Sequence, residues 1–428
     1  MAATCSARTV PPMNSTAPTP RNVVIAGGGV AALEAAMALR DFAGDRVRIT
    51  LVTPESDFVL RPLRVGEPFS VDHVRRYPLR EVARELDAEL VIDAVTRVDE
   101  ADKTITCASD RELPYDDLIV AVGGKPVPAF EHAMTFGTER DPEALNGILA
   151  DLEGGYSKSV AFVVPPGVTW PLPLYELALM TARQVRSMNM DDVRLVIVTP
   201  EGSPLAVFGP QASDGVRELL DAAGIEVVTG VYASVIANGR VGLGRNGDEL
   251  AVDRIVALPL VEGRRIPGVS SDPDGFIPID DHAHVVGMQN VYAAGDGANF
   301  PIKQGGIATQ QADAAASAIA ADAGAVAEPE PFRPVLRGRL MTGDHDRFLH
   351  RPAAGDGESR ASDEPLFWPP TKVSGRYLSP WLARQERPSE VIAPEPKQGT
   401  PVEVELPLDA ERVEAMTLET LGPSPFRH

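Results

Sequence analysis

A continuous apolar run followed by glycines is the first regular pattern in this chain. Asn22 to Ala26 has the sequence NVVIA, which is typical of a parallel strand buried on both faces. The cluster Gly27 to Gly29 ends the run, and Ala31 to Leu39 then has the apolar spacing of a helix. Val47 to Val52 predicts the next strand. The order of strand, turn, helix and strand predicts a βαβ unit.

The same order returns later in the chain. Ser159 to Val164 predicts a buried strand, Leu174 to Met188 a helix, and Val193 to Thr199 another strand. Asn290 to Ala294 then predicts a strand that rejoins the first unit. The predicted fold class is therefore α/β, with two Rossmann-like, three-layer dinucleotide-binding domains, the second inserted in the first, and a small C-terminal segment.

Two shorter segments between these units also have regular patterns. Pro78 to Leu90 has helical spacing with charges on its outer face, and Leu90 to Thr106 alternates like a short β-meander. We expect a helix followed by antiparallel strands at this point.

The charge balance narrows the range of partners. The chain has 40 Lys and Arg against 61 Asp and Glu, and the formal net charge of −21 disfavours nucleic acid or an anionic membrane. It has no run of about 18 apolar residues, the length that a membrane-spanning helix needs. The acidic stretch Glu403 to Leu421 does not favour membrane docking either. We predict a cytoplasmic protein that acts on small molecules without a stable membrane anchor, and the sequence leaves its oligomeric state open.

Cysteine and histidine usage points to a bound redox cofactor. Cys5 and Cys107 are the two cysteines, too few for a disulfide framework, a CxxC centre or a thiolate metal site. The seven histidines lack the spacing of metal ligands, so we predict no metal. Redox chemistry would have to come from a cofactor.

The first glycine turn has the residue types that a dinucleotide requires. Gly27 permits a tight turn out of the strand, Gly29 lets the backbone approach a pyrophosphate, and Ala32 permits close packing of the helix on the strand. The phosphates would lie at the helix N-terminus, where free amides and the helix dipole favour anions. An ordinary glycine-rich turn is the alternative.

Three polar residues near strand ends are candidate cofactor ligands. Glu55 lies at the tip of the second strand and could hold ribose hydroxyls, or be a solvated loop residue. Arg61, followed by Pro62, could face phosphate or flavin, or form a surface ion pair. Asp296 follows a strand at the sheet edge where ligands bind, and could accept hydrogen bonds from a ribityl chain or simply shape a turn.

Three separated segments together resemble the flavin signatures of the pyridine nucleotide-disulfide oxidoreductase superfamily, namely Gly27 to Ala36, Tyr115 to Gly123 and Val291 to Asp296. Val59 to Leu63 (VLRPL) and Pro301 to Gln311 (PIKQGGIATQQ) are similar to its branch of type II NADH:quinone dehydrogenases and sulfide:quinone oxidoreductases. The resemblance covers roughly residues 21 to 325 and implies FAD as the cofactor.

Composition and element order predict the domain limits, and the resemblance implies site residues. The predicted limits are a disordered tail over 1–20, an FAD-binding domain over 21–130 and 266–325, an NAD(P)-binding-like domain over 131–265, and a C-terminal cap with a mobile tail over 326–428. Glu176 and Lys303 would be catalytic, Glu176 as a proton-handling residue unless it is an exposed helix glutamate. The implied FAD ligands are Gly27, Gly29, Val30, Ala31, Glu55, Arg61, Pro62, Val95, Ala121, Val122, Gly123, Gly295, Asp296, Gly306 and Ile307.

The second turn departs from a nucleotide-binding pattern. Pro165 and Pro166 have no amide to donate, and Trp170 adds bulk where close backbone approach is needed, so NAD(P)H docking is disfavoured. Neither Cys5 nor Cys107 lies near a flavin motif, so we do not expect cysteine-based sulfide oxidation.

The predicted function is an FAD-dependent oxidoreductase that passes electrons from NAD(P)H or another small reductant to a small acceptor such as a quinone. Two alternatives stay open: a sulfide:quinone oxidoreductase-like flavoprotein with a non-nicotinamide donor and without the usual cysteines, and a non-catalytic FAD-dependent protein-binding module. Phe367, Trp368, Tyr377 and Trp381 could shape an acceptor pocket or pack a small third domain.

Overall fold

The computed structural model describes residues 19–137, 141–244, 246–351 and 359–386. Most of the tail predicted over 1–20, and the chain end beyond residue 386, lie outside the described residues. In chain order the strands are β1 Arg21–Ala26, β2 Val47–Thr53, β3 Asp57–Val59, β4 Arg76–Pro78, β5 Glu89–Ile92, β6 Val95–Asp99, β7 Thr104–Cys107, β8 Glu112–Pro114, β9 Asp117–Val120, β10 Lys125–Val127, β11 Met134–Thr135, β12 Ser159–Val163, β13 Arg194–Val198, β14 Glu226–Val228, β15 Ala233–Ala237, β16 Arg240–Leu243, β17 Asp248–Ala251, β18 Arg254–Ala257, β19 Leu260–Glu262, β20 Val291–Ala293, β21 Leu336–Leu340, β22 Arg347–Arg351 and β23 Arg360–Ser362.

Seven α-helices and three short 3-10 helices accompany the strands in the described residues. The α-helices are α1 Val30–Ala43, α2 Leu79–Glu85, α3 Asp141–Glu153, α4 Leu172–Ser187, α5 Pro210–Ala222, α6 Gly305–Asp322 and α7 Leu378–Glu386. The 3-10 helices are Gly44–Arg46, Arg61–Phe69 and Ala206–Phe208.

Two five-stranded parallel sheets form the frame of the molecule. The first has the strand order β20-β9-β1-β2-β5 and the second the order β11-β18-β12-β13-β14. The apolar runs of β1, β12 and β13 are buried, as expected of parallel strands covered on both faces. The strands of the second sheet lie between β9 and β20 of the first in the chain. The predicted α/β class, with one Rossmann-like unit inserted in another, is confirmed.

Helices α1 and α6 pack against each other on the first sheet. Small side chains make this approach close, since a Cβ at Gly295 would lie 3.3 Å from that of Ala31 and 3.7 Å from that of Ala308. Helix α1 follows β1 directly, and α6 follows the turn after β20, so both helices begin on the side of the carboxyl ends of these parallel strands. A cofactor is expected to bind at that edge.

The segment after β4 differs from its prediction. Helix α2 ends at Glu85, and Leu90 belongs to β5 of the first sheet rather than to a meander. The helix stops early because Asp87 adopts a positive φ of 48°. The antiparallel meander itself consists of β6, β7 and β8.

The C-terminal segment packs on both units. Strands β21, β22 and β23 form an antiparallel sheet whose neighbours are α4 and α5, while α7 packs against α1. Among the helices described, none is both long and apolar enough to span a bilayer.

Candidate active site

A cavity of about 960 Å³ lies where the two parallel sheets and the C-terminal segment meet. The first unit contributes Asp296 and Lys303, and the second contributes Trp170. Arg337 and Lys372 line it from the C-terminal segment. Clefts where several units converge are common ligand sites, so this cavity is the candidate active site.

The glycine turn after β1 has two different constraints. Gly27 has a φ of 140°, and a Cβ there would lie 2.2 Å from the carbonyl oxygen of Ala121. Gly29 instead faces open space, with no atom within 4 Å of an added Cβ, and it is the N-cap of α1 without a side-chain hydrogen bond. The first amides of α1, beginning at Val30 and Ala31, have no partner within the helix. This arrangement leaves room and donors for a phosphate group.

The three segments that carry the flavin signatures meet at one edge of the first sheet. Ala121, which precedes Val122, follows β9, and its amide donates to the carbonyl of Ala26 at 2.8 Å. Gly123 has a φ of 70°, and a Cβ at Gly297 would lie 3.2 Å from its carbonyl oxygen. The backbones after β1, β9 and β20 therefore run close together.

Asp296 and Lys303 are the charged groups of the first unit in the cavity wall. No described group donates a hydrogen bond to the Asp296 carboxylate. Burial raises the pKa of Asp296, and the nearby charge of Lys303 offsets part of this increase. Lys303 Nζ donates to the carbonyl of Ala298 at 2.6 Å and lies 3.7 Å from the ring centroid of Phe276. Burial lowers the pKa of Lys303 to about 8.

Helix α6 begins at the cavity with a side-chain cap that no sequence pattern predicts. Gln304 Oε1 accepts a hydrogen bond from the amide of Ile307 at 2.8 Å, and Gln304 Nε2 donates to the carbonyl of Arg337 at 3.1 Å. The Ile307 amide is thus engaged, whereas the amides of Gly305 and Gly306 have no partner among the described residues.

The other predicted cofactor ligands are spread over the first unit. Arg61 and Pro62 line the cavity, and no described carboxylate pairs with Arg61. Glu55 is exposed at the tip of β2, and its amide donates to Thr53 Oγ1 at 3.3 Å. Val95 begins β6 and packs against the apolar cluster on the opposite face of the first sheet from α1. The structure therefore brings Arg61, but not Glu55 or Val95, to the cavity.

Glu176 is fully buried, so the alternative of an exposed helix glutamate is wrong. Its Oε1 atom is in contact with Lys372 Nζ and accepts a hydrogen bond from the amide of Met341 at 2.7 Å. Its Oε2 atom is buried without a partner among the described residues. Burial raises the pKa of Glu176 and lowers that of Lys372, although each charge partly offsets the effect on the other. Lys372, which lines the cavity, is the residue through which Glu176 is connected to it.

The second turn contains no glycine-rich phosphate loop. The amide of Val168 donates to the carbonyl of Pro165 at 3.2 Å, and Thr169 Oγ1 donates to the carbonyl of Pro301. Trp170 packs edge-on against Phe208, with ring centroids 5.4 Å apart. Helix α4 then begins after Pro171. The contacts of Thr169 and Trp170, together with the prolines, fix the position of the helix start.

Glu201, at the tip of β13, has its oxygens satisfied inside the second unit. It accepts hydrogen bonds from the Tyr175 hydroxyl at 2.7 Å, Thr199 Oγ1 at 2.9 Å and the amide of Ala206 at 3.1 Å. The side chain is fully buried, and burial raises its pKa to about 7. An acid at this position of a Rossmann fold holds the ribose of a nucleotide, but Glu201 is not exposed to one.

The C-terminal aromatic residues do not line the cavity. Tyr377 packs edge-on against Phe42 and Trp381 against Tyr77, so both attach α7 to the first unit. Trp368 is 58% exposed. Packing of the C-terminal segment is therefore the interpretation that the contacts of Tyr377 and Trp381 support.

The site fits the predicted FAD. Gly29 leaves a cradle at the start of α1, and the Asp296 carboxylate lacks a hydrogen-bond partner among the described residues at the edge where a ribityl chain would lie. The amides of Gly305 and Gly306 supply donors at the start of α6. The residues named here would hold the cofactor.

Comparison with known proteins agrees with this interpretation. The profile of the family described as "Pyridine nucleotide-disulphide oxidoreductase" matches residues 21–318. The chain is 27% identical over 295 residues to an NADH dehydrogenase-like protein of Mycobacterium tuberculosis, covering 64% of this chain and 72% of the relative. It is 25% identical over 278 residues to the sulfide-quinone reductase of Aquifex aeolicus, covering 59% of this chain and 61% of the relative.

Solved structures show the same fold. The sulfide:quinone oxidoreductase of Aquifex aeolicus superposes with a TM-score of 0.72 at 20% identity, covering 80% of this chain and 87% of that chain. A ferredoxin reductase of Rhodopseudomonas palustris superposes with a TM-score of 0.60 at 20% identity, covering 79% and 84%. The predicted superfamily and cofactor are confirmed, and the chain belongs to the pyridine nucleotide-disulphide oxidoreductase family as a flavin-dependent oxidoreductase that binds FAD.

Proposed function

We propose that this protein passes electrons from a small reductant other than NAD(P)H, through FAD, to a small acceptor such as a quinone. The observation that carries the proposal is the cavity in which Asp296 and the start of α6 face the second unit and the C-terminal segment. A substrate in that cavity would lie beside the cofactor edge of the first sheet. When bound, FAD supplies a two-electron carrier between donor and acceptor.

The closed second nucleotide site supports a donor other than NAD(P)H. A nicotinamide dinucleotide needs backbone amides for its pyrophosphate and an acid for its ribose. Pro165 and Pro166 cannot donate amides, and Glu201 is held by Tyr175, Thr199 and Ala206.

Two lysines in the cavity wall are suited to handle protons. A quinone that accepts two electrons also takes up two protons to become a hydroquinone. Lys303, with its pKa lowered to about 8, holds a proton on Nζ that it can release close to neutral pH. We assign the second proton to Lys372 Nζ, whose protonated form is stabilised by the Glu176 carboxylate that contacts it.

A cysteine-dependent sulfide reaction has no support from the described residues. Cys107 is 1% exposed in β7 and belongs to the apolar cluster around the meander, and burial raises the pKa of its thiol. A protonated, buried thiol cannot act as the nucleophile. Cys5 lies outside the described residues. We therefore propose that the substrates are small molecules that reach the flavin directly. From the acidic composition we also propose that the protein acts in the cytoplasm without a stable membrane anchor.

An anaerobic titration tests the proposal. Purified holoprotein is mixed with NADH, NADPH or dithionite, and the flavin absorbance is followed. We expect dithionite to bleach the flavin. NADH and NADPH should leave the flavin oxidised over the time in which one catalytic turnover would occur. Rapid bleaching by either nucleotide would overturn the donor assignment. The stoichiometrically reduced protein is then mixed with a soluble naphthoquinone, and failure of the flavin to reoxidise would overturn the acceptor assignment.

A further inference from the structure

Arg337 in β21 is a cation in the cavity wall without an anionic partner. Its guanidinium forms no ion pair or hydrogen bond with any described residue, although the side chain is partly buried. Burial lowers its pKa below the ordinary value, and no carboxylate contributes an opposing effect. Its neighbour Arg339 is different, because Arg339 Nε pairs with Asp346 at 2.6 Å.

The surroundings of Arg337 add positive charge. In the strand register, Arg337 lies opposite His350 of β22, and His350 lies opposite Arg360 of β23. The three side chains therefore share one face of this sheet. The pKa of His350 is lowered by burial and by both arginines. Burying a partnerless cation has a free-energy cost that an incoming anion would remove. Arg337 is therefore a candidate binding group for an anion.

The position of Arg337 connects it with the cofactor edge. Its carbonyl accepts a hydrogen bond from the side chain of Gln304, the cap of α6, so β21 is held against the start of this helix. The cavity wall also includes the apolar and aromatic side chains of Phe136, Trp170 and Phe300. A planar apolar body can pack against these side chains while a charged group reaches Arg337.

We propose that the small redox substrate of this cavity carries an anionic group, such as a carboxylate or sulfonate, that pairs with the Arg337 guanidinium. This inference rests on the proposed function, because it assumes that a small redox molecule enters the cavity. Planar bidentate recognition of carboxylates and similar anions is the role for which arginine is best suited.

A matched pair of probes tests the assignment. We would measure binding of 1,4-naphthoquinone-2-sulfonate and of 2-methyl-1,4-naphthoquinone to the oxidised holoprotein, by calorimetry and by the perturbation of the flavin spectrum. The two share one ring system and differ in charge. In Arg337→Gln, the Kd of the sulfonate should rise by about 10-fold or more, and that of the neutral quinone by less than about 2-fold.

A control variant separates direct pairing from the general field. Arg360→Gln removes the same charge from the same sheet face, but Arg360 is exposed and does not line the cavity. We expect less than about a 2-fold effect on either probe. An equal loss of sulfonate binding in Arg360→Gln and Arg337→Gln would overturn the assignment. So would an equal loss of both probes in Arg337→Gln with a lowered flavin midpoint potential, which would make Arg337 a cofactor ligand.

The same data distinguish the two proposals. If both probes bind the native protein with equal affinity and Arg337→Gln changes neither Kd, the proposal of an anionic substrate is wrong. The cavity then remains a substrate site. If neither probe binds the native protein, the cavity is not the quinone site and the proposed function fails first.

Discussion

The two glycines of the first turn differ in what a methyl group would contact. A Cβ at Gly29 would lie in open space, so Gly29→Ala should leave the apoprotein as stable as the native one. It would, however, intrude on the cofactor cradle, and we expect FAD affinity to fall by about tenfold, equivalent to about 1.4 kcal/mol. Flavin titration of the apoprotein measures this change.

Gly27→Ala is the matched control. At a φ of 140°, with the carbonyl of Ala121 2.2 Å from the new Cβ, this substitution should destabilise even the apoprotein. Backbone strain alone costs about 1–3 kcal/mol. Thermal unfolding without FAD should separate the two variants. Equal unfolding temperatures would contradict the different roles that the contacts assign to these residues.

Glu201 predicts a pH dependence of stability. Its pKa is about 7 in the folded protein and near the ordinary 4.5 when unfolded, so the folded state holds the proton more tightly. The contribution of Glu201 to the free energy of unfolding should therefore be complete below pH 4.5. It should decrease by about 3 kcal/mol in total as the pH rises through 7. Denaturant unfolding of Glu201→Gln and the native protein from pH 5 to pH 8 tests this.

The expected difference in Glu201→Gln is a flatter profile. Glutamine does not ionise, so the loss of stability that the native protein shows between pH 5 and pH 8 should shrink by the part that this residue contributes. Tyr175→Phe provides a control, because it removes the hydroxyl that donates to Glu201 but leaves the carboxylate able to ionise. A native profile that rises with pH over this range, unchanged in Glu201→Gln, would contradict the prediction.

At the scale of elements, a buried glutamate of α1 holds the C-terminal helix. Glu34 accepts hydrogen bonds from the amides of Tyr377 at 2.8 Å and Leu378 at 2.6 Å, which cap the start of α7. Glu34→Ala should lower the free energy needed to detach α7 from α1 by about 1–3 kcal/mol. We expect faster amide hydrogen exchange and faster proteolysis over residues 375–386, with the two parallel sheets unchanged.

Asp41→Asn serves as the comparison for Glu34→Ala. Asp41 accepts a hydrogen bond from the Tyr377 hydroxyl at 2.6 Å, but this contact is exposed to solvent. Loss of this hydrogen bond should lower the free energy needed to detach α7 by less than about 1 kcal/mol. Similar exchange rates over α7 in the native protein and in Glu34→Ala would show that the aromatic contacts alone hold the helix.

Local patterns predicted most of the elements but little of the site around them. The glycine turn, the buried strands and α1 were predictable, because the residues that decide them are adjacent in the chain. The boundary at Leu90 was wrong, since its strand pairing with β2 depends on distant residues. The burial of Glu176 was missed for the same reason, as its partner Lys372 lies 196 residues away. Arg337 had no local signal at all.

At the scale of the molecule, the acidic composition does not predict which charged groups line the cavity. The chain has a formal net charge of −21, yet the cavity wall contains the cations Arg61, Arg337 and Lys372 as well as three aspartates. Composition therefore predicted poor binding of large polyanions but not the charge preference of an enclosed site. Three parts of the chain must come together before these cations share one cavity.

The Glu176–Lys372 ion pair joins two of these parts. It connects α4 of the second unit to the C-terminal segment, and both side chains are almost fully buried. Lys372→Met should destabilise the protein by about 3–5 kcal/mol, because it leaves a buried carboxylate without its counter-charge. Glu176→Gln in the same chain removes that charge, so the double variant should be more stable than Lys372→Met alone. Chemical denaturation of the native protein and the three variants measures the coupling, and a double variant as unstable as the sum of its parts would show that the pair does not act as a unit.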